Sequence, residues 1–102
     1  MRGLLGFQDV ERASLWRRLS AMERAGIAIQ TSIGRLIEQG GGARVLVPVA
    51  ERLKDGVGLG EAFKGAPDIS PLEQRLIDAG SRGGRLPEVF DELGAHFEDR
   101  AA

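Results

Sequence analysis

Arg85-Leu86-Pro87-Glu88-Val89-Phe90-Asp91-Glu92-Leu93-Gly94-Ala95-His96-Phe97-Glu98-Asp99-Arg100 is the stretch that decides the fold. Its large apolar residues, Leu86, Val89, Phe90, Leu93 and Phe97, recur at offsets of three and four, which places them on one side of an α-helix and leaves the acids outside. Pro87 fits the first turn, where a missing N–H removes no hydrogen bond. The same spacing recurs toward the N-terminus: Leu72, Leu76 and Ile77; Val45 or Leu46, Val49 and Leu53; Ile29, Ile33, Leu36 and Ile37; Leu15, Leu19 and Met22. No segment alternates with period two for long enough to form a strand. The chain reads as all-α.

Glycines punctuate these segments. There are 15 of them in 102 residues, and Gly26, Gly40–Gly42, Gly56, Gly58, Gly65, Gly80 and Gly83–Gly84 fall between periodic runs, where glycine ends a helix without steric penalty. Six helices follow, over about 9–25, 27–38, 43–55, 59–64, 69–79 and 85–100, with Gly26, Gly56, Gly80 and Gly84 as structural turns. Residues 1–8 form a flexible lead and 9–102 a single helical domain. Asp9 is placed to cap the first helix, and either Asp68 or Ser70 the fifth, with Glu73 as the capping-box partner of Ser70. Pro48 either belongs to the first turn of a late-starting third helix or kinks an early one. Helices this short need tertiary packing, and short connections favour antiparallel neighbours in a bundle. The expected core is Leu15, Leu19, Met22, Ile29, Ile33, Leu36, Leu53, Leu59, Phe63, Leu72, Leu76, Leu86, Phe90, Leu93 and Phe97.

Composition narrows the function. Fourteen Lys and Arg against 15 Asp and Glu leave a net charge of −1, which argues against a dedicated nucleic-acid binder. The absence of cysteine excludes disulfides and thiolate sites. The longest apolar run, Val45 to Ala50, is far short of the ~20 residues of a membrane helix. His96 stands without a recognisable nucleophile set, and the Gly40–Gly42 stretch lacks the strand and Gly-Lys-Ser/Thr ending of a P-loop. No catalytic or cofactor-binding residues are assigned, and the chain reads as no enzyme.

Charge, however, is uneven. Residues 1–58 carry nine basic and six acidic side chains, and 59–102 carry five and nine. Glu88, Asp91 and Glu92 share a face of the last helix. Three readings are open: a weak hard-cation site, a solvated face, or a face meeting Arg12, Arg17 or Arg18 of the first helix. Trp16 lies one residue off the Leu15/Leu19/Met22 stripe, which leaves two places open to it, the core or the surface as an interface anchor. With Arg17, Arg18, Glu88, Asp91 and Glu92 it makes up the candidate interface.

The run from Leu15 to Ile29 resembles the opening of the type II secretion system F family, through Arg17, Leu19, Ala25-Gly26, Ile27 and Ile29. Gly56-Val57-Gly58-Leu59-Gly60-Glu61-Ala62-Phe63 is similar to a second family segment, and Ala79-Gly80-Ser81-Arg82-Gly83-Gly84-Arg85-Leu86 to a third. Ser81 stands where the family usually has Glu, Gly58 where it has a capping Ser or Thr, and Ala28 where Pro is frequent. The resemblance implies a six-helix cytoplasmic domain of an inner-membrane platform protein, attached to the membrane only through segments outside this chain. It implies a non-enzymatic scaffold, without cofactor, that couples a cytoplasmic assembly ATPase to pilin or pseudopilin assembly. It also implies self-association into a homo-oligomer and contact with other platform components. The competing readings are a free-standing helical adaptor and a small DNA-binding regulator. For the latter, Arg35 is the sole basic residue of the would-be recognition helix.

Overall fold

The computed structural model describes residues 2–102, with side chains from Gly6 onward. Its elements are α1 (Arg2–Arg24), α2 (Ile29–Gln39), a 3-10 helix (Gly41–Leu46), α3 (Val47–Lys54), α4 (Leu59–Phe63), α5 (Pro71–Gly83) and α6 (Leu86–Ala101). No strand occurs among the described residues. The Cα radius of gyration, 12.8 Å, matches the ~13 Å expected of a compact domain of 100 residues.

The two longest helices, α1 and α6, make the most extensive contact of any pair. They run antiparallel: Ser20 meets the Pro87 carbonyl at one end, and a Cβ on Gly6 would lie 3.6 Å from the Ala101 carbonyl at the other. Between them and the remaining helices sits an aromatic centre. Trp16 stacks on Phe90 with ring centroids 5.7 Å apart and tilts against Phe63 at 6.1 Å. Leu19, Ile33, Leu36, Leu46, Ile77 and Leu93 enclose these rings and, like them, have no exposed surface.

The glycine stops work as one device used twice. After α1, Gly26 has φ +79°, its N–H donates to the Glu23 carbonyl, and the Ile27 N–H donates to that of Met22. After α3, Gly56 and Val57 repeat this pattern onto Leu53 and Arg52. These are Schellman closures, each followed by a half-buried apolar residue. The next helix starts two residues on, at Ile29 and Leu59, from Ala28 and Gly58, neither of which supplies a side-chain cap. Gly84, at φ +68°, closes α5 in the same manner through Arg85 N–H to Gly80 O.

Several boundaries differ from the sequence expectation. Residues 2–8 are helical, so Asp9 is not an N-cap; it lies inside α1 and faces Arg100 at 3.6 Å. The neighbouring end of α6 supports this first part of α1, a tertiary contact that local pattern cannot reveal. Gly80 is not a turn. It is buried inside α5, and a Cβ there would approach Val89 Cγ2 to 2.6 Å, so this glycine sets how closely α6 meets α5. Pro48 takes the first option open to it, lying in the first turn of α3 after a 3-10 lead.

The core is narrower than expected on several helices and differs most on α5. Met22, Ile29, Leu59, Leu72, Leu76 and Leu86 are only half-buried, and α5 buries Glu73, Ile77 and Gly80. The buried face of α5 is rotated so that a carboxylate, rather than Leu72 or Leu76, points inward.

Candidate functional site

That carboxylate organises the α1–α5 junction. Glu73 is 1% exposed. It completes the capping box, accepting from the Ser70 N–H at 3.0 Å while its own N–H donates to Ser70 Oγ at 3.3 Å. The same carboxylate accepts from Arg12 Nη1 at 2.8 and 2.9 Å and from Trp16 Nε1 at 2.8 Å. Arg12 also donates to the Asp68 carbonyl at 3.1 Å, so one guanidinium ties α1 to the loop that leads into α5. A buried acid satisfied by a cation, an indole and a backbone N–H fixes geometry, since losing any partner strands a charge or donor away from water.

Trp16 is therefore not an exposed interface anchor. Its ring is fully buried and its one polar atom is committed to Glu73. The reason is the width of the buried arc of α1, which includes Ala13, Leu15, Trp16, Leu19 and Ser20 because neighbours pack on both sides.

Along the α1–α6 edge runs a second, solvent-facing set of charges. Arg17 crosses α6 over Gly94, whose Cβ position lies 2.7–2.9 Å from the arginine Nε, Cδ and Cγ. The guanidinium forks onto Glu98, at 3.1 Å from Nε and 2.8 Å from Nη2, and stands 3.5 Å from Asp91. Arg24 Nη2 donates to Asp91 Oδ2 at 2.6 Å. The Ser20 hydroxyl, which also lies 3.2 Å from the Pro87 carbonyl, and then Arg24 hold the Asp91 carboxyl below the ordinary carboxylate range. The hydrogen bond from Arg17 does the same to Glu98, and the contact with Glu98 raises Arg17 in return. These side chains are 36–53% exposed, so each pair contributes little to stability. Together they set the register of α1 on α6.

Of the candidate interface residues, Arg17 and Asp91 thus belong to this intramolecular edge. It realises the reading in which the acidic face meets the first helix, but with Arg24 as second cation; Arg12 turns to Glu73. Arg18, Glu88 and Glu92 are exposed. Glu88, Asp91 and Glu92 do not converge on a common point: no group of three or more metal-ligating side chains occurs among the described residues. Glu88, Glu92 and Asp99 follow one another at helical spacing on the side of α6 away from Phe90 and Phe97, and none has an ion-pair partner among the described residues. His96 is exposed, edge-on to the Phe97 ring at 4.9 Å.

The sequence reading missed Gly94, offered Arg12 the acidic face of α6 rather than Glu73, and gave Glu73 only its capping role. The motif Ser70-Pro71-Leu72-Glu73 signals the cap, while the partners on α1 lie 57 and 61 residues away in sequence.

The family model described as "Type II secretion system (T2SS), protein F" matches residues 15–102. The chain is similar to a type 4 fimbrial assembly protein, PilC, of Pseudomonas putida, with 22% identity over 89 residues. That match covers 84% of this chain and 22% of the relative, so the chain spans about a fifth of the relative's length. No solved structure matches. No described helix is long and apolar enough to cross a membrane.

Proposed function

The chain belongs to the type II secretion system F family, and from that premise we propose that it is a non-enzymatic scaffold domain of an inner-membrane platform protein, working on the cytoplasmic face in protein secretion or pilus assembly. The observation that carries this reading is the family match over residues 15–102, nearly the whole bundle. The surface is consistent with it: the polar side chains with defined geometry either lock helices together, as Glu73 and Arg17 do, or lie open on α6.

In this reading the domain takes part in a homo-oligomer and receives the assembly ATPase through the outer acidic face of α6. Glu88, Glu92 and Asp99 present negative charge that a basic patch on a partner would complement, raising the rate of encounter. The test is a pull-down of a purified secretion or pilus ATPase encoded in the same genome, with the chain as bait. Capture is expected, falling about tenfold or more for Glu88→Lys with Glu92→Lys and weakening at high salt, because exposed charges are screened over ~10 Å at 0.1 M. No capture by the chain or by the full-length protein that carries it would refute the ATPase-coupling role. Capture unchanged in the charge-reversed variant would move the contact off α6.

A further inference from the structure

Among the described residues the exposed large hydrophobic side chains are Phe7, 59% exposed, and Val10, 55% exposed, both on α1 and both ahead of the segment that the family model matches. With Ser14 and Ala21, also exposed, they fall at spacings of three, four and seven on the side of α1 that faces away from Trp16 and Leu19. This is the spacing of a seam between two helices, with large residues at one end and small ones at the middle and far end. Beside the seam a shallow groove of about 220 Å³ lies between α1 and the Gly40–Gly42 backbone, with buried Leu15 and Ala43 among its lining. The glycine wall leaves room for Glu11, whose Oε2 and Cβ lie 3.4 and 3.5 Å from where Cβ atoms on Gly41 and Gly42 would sit.

The charges beside the seam identify the occupant. Glu11 and Arg18 both line the groove, three residues before and four after Ser14. Neither has a hydrogen-bond or ion-pair partner among the described residues, unlike Arg12, Arg17 and Arg24 on the same helix. Seven residues separate them, about 10.5 Å along the helix axis, so they do not pair with each other.

We propose that this face of α1 is the seam of a twofold antiparallel pairing between two copies of the chain, centred on Ser14, in which Glu11 of each copy meets Arg18 of the other. The proposal rests on the self-association included in the preceding reading and names its surface. Antiparallel alignment about Ser14 sets Phe7 over the small Ala21 of the second copy and Val10 beside the aliphatic stem of its Arg18. Both exposed apolar residues are covered and both unpaired charges are matched twice over. A parallel pairing would set Glu11 against Glu11 and Arg18 against Arg18, and like charges across a seam oppose association. A single helix-pair contact falls in the small, transient class of interfaces, below about 1,200 Å², so weak, concentration-dependent association is expected.

The test is sedimentation velocity of the chain from about 1 μM to 1 mM, with circular dichroism melting of every variant to verify folding. Concentration-dependent dimer formation is expected. Glu11→Arg and Arg18→Glu should each weaken it at least tenfold, and the two together should restore it to within about threefold of wild type. Phe7→Asp with Val10→Asp should abolish it. A chain monomeric throughout, or a double charge swap no better than its singles, overturns the proposal. A dimer that persists in Phe7→Asp/Val10→Asp overturns this surface while leaving self-association standing. A monomer that instead cosediments, through Phe7, with vesicles of phosphatidylethanolamine and phosphatidylglycerol assigns the face to a bilayer. ATPase capture is read separately, so failure here is distinguishable from failure of the platform reading.

Discussion

Removing the Glu73 carboxylate should destabilise the domain more than any surface substitution, and the size of the effect follows from its partners. In Glu73→Ala the buried Trp16 Nε1–H loses its acceptor, the Ser70 N–H loses its capping partner, and the Arg12 guanidinium loses its counter-charge. An unsatisfied buried donor costs ~1–3 kcal/mol, a lost cap ~1 kcal/mol, and breaking a buried ion pair ~3–5 kcal/mol. These contributions overlap. Arg12, with 19% of its side chain exposed and a remaining bond to the Asp68 carbonyl, can turn partly to water and recover some of the loss. A net destabilisation of about 3–4 kcal/mol is expected, a large share of the ~5–15 kcal/mol that a domain of this size possesses. At ~4–8 °C per kcal/mol, the melting temperature should fall by roughly 12–30 °C. Urea denaturation followed by circular dichroism measures it directly. Glu73→Gln, which keeps the shape and one acceptor oxygen, should lose about half as much. Trp16→Phe should lose ~1.5–3 kcal/mol, the worth of a hydrogen bond to a charged group. Because Trp16 and Glu73 share that bond, the double variant should lose less than the sum of the singles. A loss below about 1 kcal/mol in Glu73→Ala, where a buried ion pair should cost several-fold more, would refute the idea that this carboxylate holds α1 to α5.

Five other outcomes are expected. Asp91 and Glu98 have carboxyls held below the ordinary range, so their contribution is fully present above the unfolded value of ~4 and is lost as pH falls through the folded values. Acid titration of stability should therefore be shallower in Asp91→Asn/Glu98→Gln than in wild type, and an unchanged slope would contradict the α1–α6 edge. Gly80→Ala should cost about 1–3 kcal/mol in chemical denaturation, because its Cβ enters Val89. Gly94→Ala should be near neutral, since its Cβ turns the Arg17 stem aside at the cost of exposed ion pairs that contribute little, while improving helix propensity by ~1 kcal/mol. Gly84→Val should cost about 1–2 kcal/mol from its left-handed conformation, and Phe90→Ala ~3–5 kcal/mol from the cavity beside Trp16, both readable as shifts in thermal midpoint.

Local pattern alone determined the all-α class, the apolar faces of α2 and α6, the capping box at Ser70 and Glu73, and the helix stops at Gly26, Gly56 and Gly84. Each of these depends on side-chain period or backbone freedom within a few residues, which is what a sequence displays. Tertiary structure decided the rest. Trp16 sits one place off the narrow stripe, and only the neighbours on both sides of α1 make its arc wide enough to bury the indole. Glu73 reads only as a capping-box partner, until Arg12 and Trp16, 61 and 57 residues earlier, compensate its burial and turn the α5 face away from Leu72 and Leu76. Gly80 reads as a turn and Gly94 gives no local signal, yet they are the points where Val89 and Arg17 press against a neighbouring backbone. Arg17 and Asp91 look available to a partner until α1 and α6 align antiparallel and join them to Glu98 and Arg24. The periodicity of a helix shows which of its faces is apolar; which helix meets it, and how closely, is fixed only when long-range contacts close.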